Sequence, residues 1–349
     1  MKSIVAAMIL ASALSVHAQS DRFRFGGFGD AVFAYASATG HTTFDAAELD
    51  VFATAKLTDD WSILGEGFIQ HARRGNDVDL PSTKRVEIDL ERLSATYNPS
   101  DRVRVEIGQI HTGIIRWNAR EHRGRFLQTP IDTPSIANRE EQGGAWPLHF
   151  IGLWVSGRLQ GALGVQYGAG AGETRGSARD ELQPVLDEKS TVARLVSVGV
   201  APDSLAGFEA GVAAYEGNIP AHDGMMRERD ATLFASFVRN GIELRSEWAE
   251  MHHRRLADGA MFVTRGWYVL ASLRPRGRWE SVRPYVLLDY LDVAAGESYL
   301  ADVHDQDAWA LGVRWDVAKN LALKGEVRSR LTAAGPRDRG ARAQIAFSF

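Results

Sequence analysis

Apolar and polar residues alternate with a period of two along most of the chain. The alternation is clearest at the C-terminus, where one row contains Ala341, Ala343, Ile345, Phe347 and Phe349 and the other contains Arg342, Gln344, Ala346 and Ser348. Similar alternation runs through 102–107, 242–248, 308–317 and 320–331. Because successive side chains of a strand point to opposite faces, this pattern predicts strands with one apolar and one polar face.

About sixteen such strands are predicted. Their ranges are 22–37, 42–57, 61–73, 84–97, 102–112, 148–156, 158–168, 191–200, 206–216, 229–239, 241–252, 261–274, 281–291, 306–317, 320–331 and 340–349. Segments of about 9 to 15 residues are long enough to cross a bilayer at a tilt. The alternation changes phase between Leu90 and Leu93, which predicts a β-bulge near Glu91 and Arg92.

The two faces of the predicted strands suggest a protein that lies in a membrane. The polar face carries charges of both signs, which suits a water-filled lumen, while the apolar face would meet lipid. Six aromatic residues lie where interfacial girdles are expected: Trp61, Trp267, Trp309, Tyr97, Tyr285 and Tyr290. The pattern therefore predicts an all-β fold, a transmembrane antiparallel β-barrel.

The predicted connections are alternately short and long. The short turns fall at 58–60, 98–101, 157, 202–204, 240–241, 275–277 and 318–319, and the longest loops at 113–147, 170–190, 217–228 and 292–305. Outer-membrane barrels have short periplasmic turns and longer extracellular loops. An even number of strands then places both chain termini at the periplasmic rim.

The N-terminus predicts export. Lys2 is followed by a 13-residue apolar run over 4–16 and by small residues that end at Ala18. This is typical of a signal peptide cleaved after Ala18, because about 20 apolar residues are needed for a helix to span a membrane. We therefore expect residues 1–18 to be a signal peptide and residues 19–349 to form a single barrel domain.

Composition excludes several other classes of protein. The 40 basic and 44 acidic residues give a net charge of -4, so the chain has no basic surplus for binding nucleic acid. The chain contains no cysteine, which excludes disulfides, thiolate metal sites and cysteine nucleophiles. The sequence predicts no cofactor.

With its exported N-terminus and amphipathic strands, the chain resembles a Gram-negative outer-membrane porin over its whole mature length. The C-terminal strand ends in Phe349, and this ending resembles the signal by which the barrel assembly machinery recognises such proteins. The segments 108–112, 117–118 and 126–131 are similar to porin-like proteins distantly related to phosphate-selective porins. The chain shows no lysine cluster of the kind expected for phosphate selectivity.

This resemblance implies a location and a function. A porin lies in the lipid of the bacterial outer membrane and lets small hydrophilic solutes or ions diffuse passively through its lumen. Porins of this size are commonly homotrimers. The resemblance therefore implies a channel without enzymatic activity.

The loop 113–147 is the candidate functional segment. In porins, a loop at this position folds inward and narrows the channel. An ordinary solvated surface loop is the alternative, but apolar residues such as Ile114, Ile115 and Trp117 favour the inward position. The predicted pore-lining residues are Arg104, Glu106, Arg116, Arg120, Arg123, Arg125, Glu87, Asp89, Glu243 and Arg245. Five arginines in this loop, against four acidic residues, predict weak ion selectivity.

No metal site is predicted. His111 and His122 lie near Glu121 in the sequence, but their spacing matches no established site, and the adjacent His252 and His253 would point to opposite faces of a strand. The alternative function is a non-conducting outer-membrane barrel that acts as a lipid-modifying enzyme or an adhesin. Ser246 and Ser329 are predicted to face lipid without the neighbouring histidine that a serine nucleophile needs.

Overall fold

The computed structural model describes residues 22–37, 40–45, 48–72, 85–121, 124–138, 144–176, 191–332 and 337–349. The predicted signal peptide lies outside these residues and stays a prediction. No helix among the described residues is long and apolar enough to span a membrane.

Sixteen antiparallel strands form the described part of the molecule. They are β1 Phe23–Ala36, β2 His41–Asp45 with Glu48–Lys56, β3 Trp61–Ala72, β4 Arg85–Ser100, β5 Val103–His111, β6 His149–Arg158, β7 Gln166–Glu173, β8 Val192–Val200, β9 Phe208–Ala221, β10 Gly224–Arg239, β11 Ile242–Arg255, β12 Met261–Leu273, β13 Val282–Asp292, β14 Gln306–Ala318, β15 Leu321–Thr332 and β16 Asp338–Ser348. The two segments of β2 pair one after the other along β1, and we therefore count them as one strand.

The sheet closes on itself. Each strand pairs with the next one along the chain, and β1 pairs with both β2 and β16. At the closure, Phe28 lies opposite Ser348 on β16 and opposite Asp50 on β2. The predicted sixteen-strand barrel is therefore confirmed.

The two faces of the wall differ as the alternation predicts. On β15, Lys324 and Glu326 point inward and are 4% exposed, whereas Val327 points outward and is 49% exposed. Trp61 stacks on Tyr97, and Trp267 stacks on Tyr290 on the outer surface. Tyr285 was predicted to belong to a girdle, but it faces the lumen, where its hydroxyl donates to Glu326 at 2.8 Å.

The predicted bulge at Glu91 is confirmed. Gly67 pairs with Leu90 while the neighbouring Glu66 pairs with Arg92, so Glu91 is the additional residue. The bulge also turns Arg92 toward Glu66, with which it forms an ion pair.

Two predicted segments are wrong. The seventh strand was expected at 158–168 but begins at Gln166, because Gly161 and Gly164 adopt positive φ angles of 142° and 52° and form a turn after β6. The expected loop at 217–228 consists mostly of strand. There β9 and β10 pair as far as Ala221 and Gly224, and two residues connect them. The strands continue through this region, but polar side chains lie on both of their faces. The apolar and polar alternation that identifies a strand is therefore weak there.

The loop inside the barrel

Residues 112–148, between β5 and β6, form the candidate functional segment and are called the inner loop below. At its base the Thr112 amide donates to the Leu148 carbonyl at 2.7 Å, so the loop begins and ends at one place on the wall. Most of its described apolar side chains are buried, with Ile115 and Ile136 fully so, whereas Leu127 is 48% exposed. The loop carries a short helix, α1 (Arg116–Glu121), and a 3-10 turn at Ser135–Ala137.

The start of α1 is fixed by a carboxylate of the wall. The first amides of a helix have no partner within the helix, and they favour a negative charge nearby. Glu247 on β11 supplies that charge, because it accepts from the amides of Arg116 and Trp117, the latter at 3.1 Å. The Tyr268 hydroxyl donates to the same carboxylate at 3.1 Å.

The two arginines of α1 meet one acidic residue of the wall. Arg116 contacts the Glu209 carboxylate at 2.5 Å, and Arg120 forms an ion pair with its second oxygen. Glu209 lies on β9 and is nearly buried. This side of the inner loop therefore carries two positive charges against one negative charge.

At the end of α1, two carboxylates surround one arginine. Glu121 forms an ion pair with Arg245 on β11, and Arg245 also contacts Glu243 at 2.9 Å. Glu243 additionally accepts from Thr129 of the loop at 2.7 Å. Burial raises the pKa of the Glu121 carboxyl, and the Arg245 guanidinium offsets part of that rise.

The second half of the inner loop lies against basic side chains of the last strands. Asp132 contacts Arg328 at 2.6 Å and forms an ion pair with Arg342. Burial alone would raise the pKa of Asp132, but these guanidinium groups hold it well below its usual range. Lys324 donates to the Arg125 and Pro130 carbonyls at 2.7 and 2.9 Å.

A third carboxylate fixes the 3-10 turn. Asp289 on β13 accepts from the Ser135 amide at 3.0 Å and from its hydroxyl at 2.7 Å. With Glu209, Glu243, Glu247 and Glu326, it makes five wall carboxylates that accept from donors of the loop. Because these contacts spread over β9, β11, β13 and β15, the loop lies across the lumen along the wall that the later strands form.

The structure brings some of the predicted pore-lining residues together. Arg116, Arg120, Glu243 and Arg245 meet where α1 packs on the wall, and Arg125 donates to Thr133 within the loop at 3.0 Å. Arg104 and Glu106 contact each other on β5 at 2.7 Å. Arg123 and the side chains of Glu87 and Asp89 lie outside the described residues.

Several contact residues were missed by the sequence analysis. They are Glu209, Asp289, Arg314, Lys324, Glu326, Arg328 and Arg342. Most of them lie on the polar faces of predicted strands, so the alternation alone indicated that they would face the lumen. The alternation does not reveal which strands a loop will reach.

A closed sixteen-strand antiparallel barrel with a loop folded inside it is the fold of outer-membrane porins. No family model matches the chain, and no curated protein matches it in sequence. Solved structures do match. OmpT, an outer membrane protein of Vibrio cholerae in a trimer form, has a TM-score of 0.64 at 9% identity, over 94% of this chain and 99% of that one.

Two further structures have the same fold. The anion-selective porin of Comamonas acidovorans has a TM-score of 0.62 at 14% identity, over 94% of this chain and 99% of that one. The outer membrane channel DcaP of Acinetobacter baumannii has a TM-score of 0.63 at 12% identity, over 94% and 97%. At these identities the likeness establishes a porin-like barrel fold.

Proposed function

We propose that the protein is an outer-membrane porin, a passive diffusion channel for small hydrophilic solutes or ions, in which the inner loop narrows the lumen. The observation that carries this proposal is the path of the loop. It is held against the inward face of the wall by several carboxylates, which include Glu243, Glu247 and Asp289. A sixteen-strand barrel is wide enough for an aqueous channel, which such a loop would narrow.

The ion pairs of the loop support weak ion selectivity. Arg116 and Arg120 are opposed by Glu209, Glu121 by Arg245, and Asp132 by two arginines. These pairs contain five arginines against three carboxylates, and the wall carboxylates Glu243, Glu247 and Asp289 add three more acidic groups. Charges of both signs therefore lie close together around the narrowed region. Selectivity of this kind should weaken as salt rises, since the screening length falls from about 10 Å at 0.1 M to about 3 Å at 1 M.

Location and assembly are part of the same proposal. The apolar outer face fits the lipid of the bacterial outer membrane, and Phe349 would provide the contact with the barrel assembly machinery. The Vibrio cholerae structure in a trimer form supports a homotrimer.

Liposome swelling tests the proposed channel directly. Purified full-length protein should let liposomes swell in uncharged sugars, with rates that fall steeply as the sugar becomes larger. Heat-denatured protein is the control. If folded, heat-modifiable protein gives no swelling even with the smallest sugar, it is not a diffusion channel.

The alternative of a lipid-modifying barrel gains no support from the described residues. Ser246 lies opposite Ala235 and Val269, and Ser329 lies opposite Trp309 and Arg339. Neither hydroxyl therefore has a histidine as its direct cross-strand neighbour, which a serine nucleophile would need.

A further inference from the structure

Three side chains that can bind a metal converge on neighbouring strands at the base of the inner loop. His111 is the last residue of β5 and lies directly opposite His149, the first residue of β6. Glu91 on the adjacent β4 lies beside His111. These three residues are called the His–Glu cluster below.

The ligand atoms of the His–Glu cluster are close together. The Nε2 atoms of His111 and His149 lie 3.1 and 3.0 Å from the same Glu91 oxygen, Oε1. The three ligand atoms all lie within 4.8 Å of one another, and the two imidazole rings are 5.4 Å apart between centroids. The Glu91 side chain is fully buried and both histidines are largely buried.

The bulge of β4 makes this convergence possible. Glu91 is the additional residue between the pairs Gly67–Leu90 and Glu66–Arg92. A bulge leaves one residue out of the regular ladder and re-aims its side chain. Here the Gln109 amide donates to the bulge carbonyls of Leu90 and Glu91 at 2.8 and 2.9 Å, which holds the bulge in place.

The His–Glu cluster is separate from the channel. Side chains alternate along a strand, so His111 lies in the same row as Ile107, and His149 lies in the same row as Leu153. Ile107 and Leu153 are exposed on the outer surface. Because both histidines terminate their strands where the inner loop begins and ends, the cluster lies at the outer side of the rim that carries this loop.

We infer that the His–Glu cluster binds a divalent transition-metal ion of the Zn²⁺ class. Two imidazoles and one carboxylate form a donor set typical of zinc, whereas Ca²⁺ and Mg²⁺ prefer oxygen ligands. Ligand atoms about 2.0–2.2 Å from a tetrahedral zinc lie a little over 3 Å from one another, so the observed oxygen–nitrogen separations need to widen only slightly. Three protein ligands leave a fourth position for water or another donor.

Cobalt binding tests this site, because Co²⁺ occupies such sites and has visible absorption bands. Chelator-treated full-length protein in detergent should bind one Co²⁺ ion per chain with tetrahedral or five-coordinate bands, and Zn²⁺ should displace it. Loss of a hydrogen-bond partner of a metal ligand already weakens metal sites by about 10–100-fold, so His149→Ala, which removes a ligand itself, should weaken binding by at least about 100-fold.

The control variant is His252→Ala. His252 lies on β11 and also contacts a carboxylate, Glu250 at 2.5 Å, but without a second imidazole at that carboxylate among the described contacts. This variant should bind Co²⁺ as the wild type does. Heat-modifiable migration on a gel confirms that each variant is folded.

Two results would overturn the inference. Folded wild-type protein that binds neither Co²⁺ nor Zn²⁺ at micromolar concentrations would show that the cluster is a hydrogen-bonded trio. Unchanged affinity in folded His149→Ala would place any bound ion elsewhere. If His149→Ala fails to fold, Glu91→Gln is measured in its place, and the wild-type spectrum still decides whether a metal binds.

Discussion

At the scale of single residues, Glu209 balances two charges at once. Its carboxylate contacts both Arg116 and Arg120 of α1, and these residues are up to 93 positions apart in sequence. Removing one partner of a buried ion pair leaves the other charge uncompensated. Glu209 therefore offsets part of the positive charge of α1.

We expect Glu209→Gln to make the channel more permeable to anions. The substitution leaves the Arg116 and Arg120 charges without their acidic partner, and the reversal potential under a salt gradient should shift toward anion permeation at 0.1 M salt. Glu216→Gln is the matched control, because Glu216 lies on the same strand among exposed, outward residues and pairs with Arg227. Equal reversal potentials in wild type and Glu209→Gln would show that α1 does not border the ion path.

Asp132 gives a prediction about pH. The pKa of Asp132 is lower in the folded protein than its ordinary value of about 3.9. Its carboxylate therefore stabilises the folded protein fully at any pH above about 3.9, and this stabilisation is lost only as the pH falls through the lowered pKa. Asp132→Asn should therefore lower the melting temperature of the barrel equally at pH 7 and pH 4.5. The cost should be about 1–3 kcal/mol, since the carboxylate is partly exposed. A difference that disappears at pH 4.5 would contradict the ion pairs with Arg328 and Arg342.

At the scale of elements, the strands could be predicted and the contacts of the inner loop could not. Alternation identifies strands because every second side chain meets a different environment, and it even located the bulge at Glu91. The contacts that hold the loop to strands β9 to β16 join residues from 89 to 210 positions apart. They depend on which part of a curved wall the loop reaches, and no local pattern encodes that. The His–Glu cluster was missed for the same reason, because His149 meets His111 only through strand pairing.

The closure of the barrel between β1 and β16 gives an element-scale prediction. Gly27 exchanges backbone hydrogen bonds of 3.1 Å with Phe349, and a Cβ at Gly27 would lie 2.4 Å from the Asp50 carbonyl oxygen and the Phe349 ring. Gly27→Ala should reduce the yield of heat-modifiable barrel. Gly65→Ala on β3, where a Cβ meets no atom within 4 Å, should preserve it. Equal yields from the two variants would show that this close approach is unimportant for closure.

At the scale of the whole molecule, the alternation of connections predicts orientation. After even-numbered strands the connections have two to eight residues, and the four longest connections follow the odd-numbered β3, β5, β7 and β13, although only two residues join β9 to β10. If the connections after even-numbered strands are periplasmic, those after odd-numbered strands, including the inner loop, begin at the extracellular rim. The chain has no native cysteine, so a single introduced cysteine is the only thiol that a labelling reagent can modify in this protein. Its labelling therefore reports the orientation of the barrel.

We expect Asp258→Cys, in the turn between β11 and β12, to react with a membrane-impermeant maleimide on intact cells. Asp59→Cys, in the turn between β2 and β3, should react only after the outer membrane is permeabilised. Both residues are exposed, so accessibility of the side chain does not distinguish them. The reverse labelling pattern would mean that the inner loop enters from the periplasmic side.

Single-channel conductance decides whether the inner loop narrows a water-filled channel. Thr112 and Leu148 are already hydrogen-bonded, so a short Gly–Ser turn can replace residues 114–146 without straining the wall. Both proteins would be measured in one planar bilayer system at 1 M salt, after heat-modifiable migration has shown that they are folded. If the inner loop narrows the channel, we expect stepwise conductance in the wild type and clearly larger steps in the shortened variant. Equal or smaller steps in the shortened variant would contradict it.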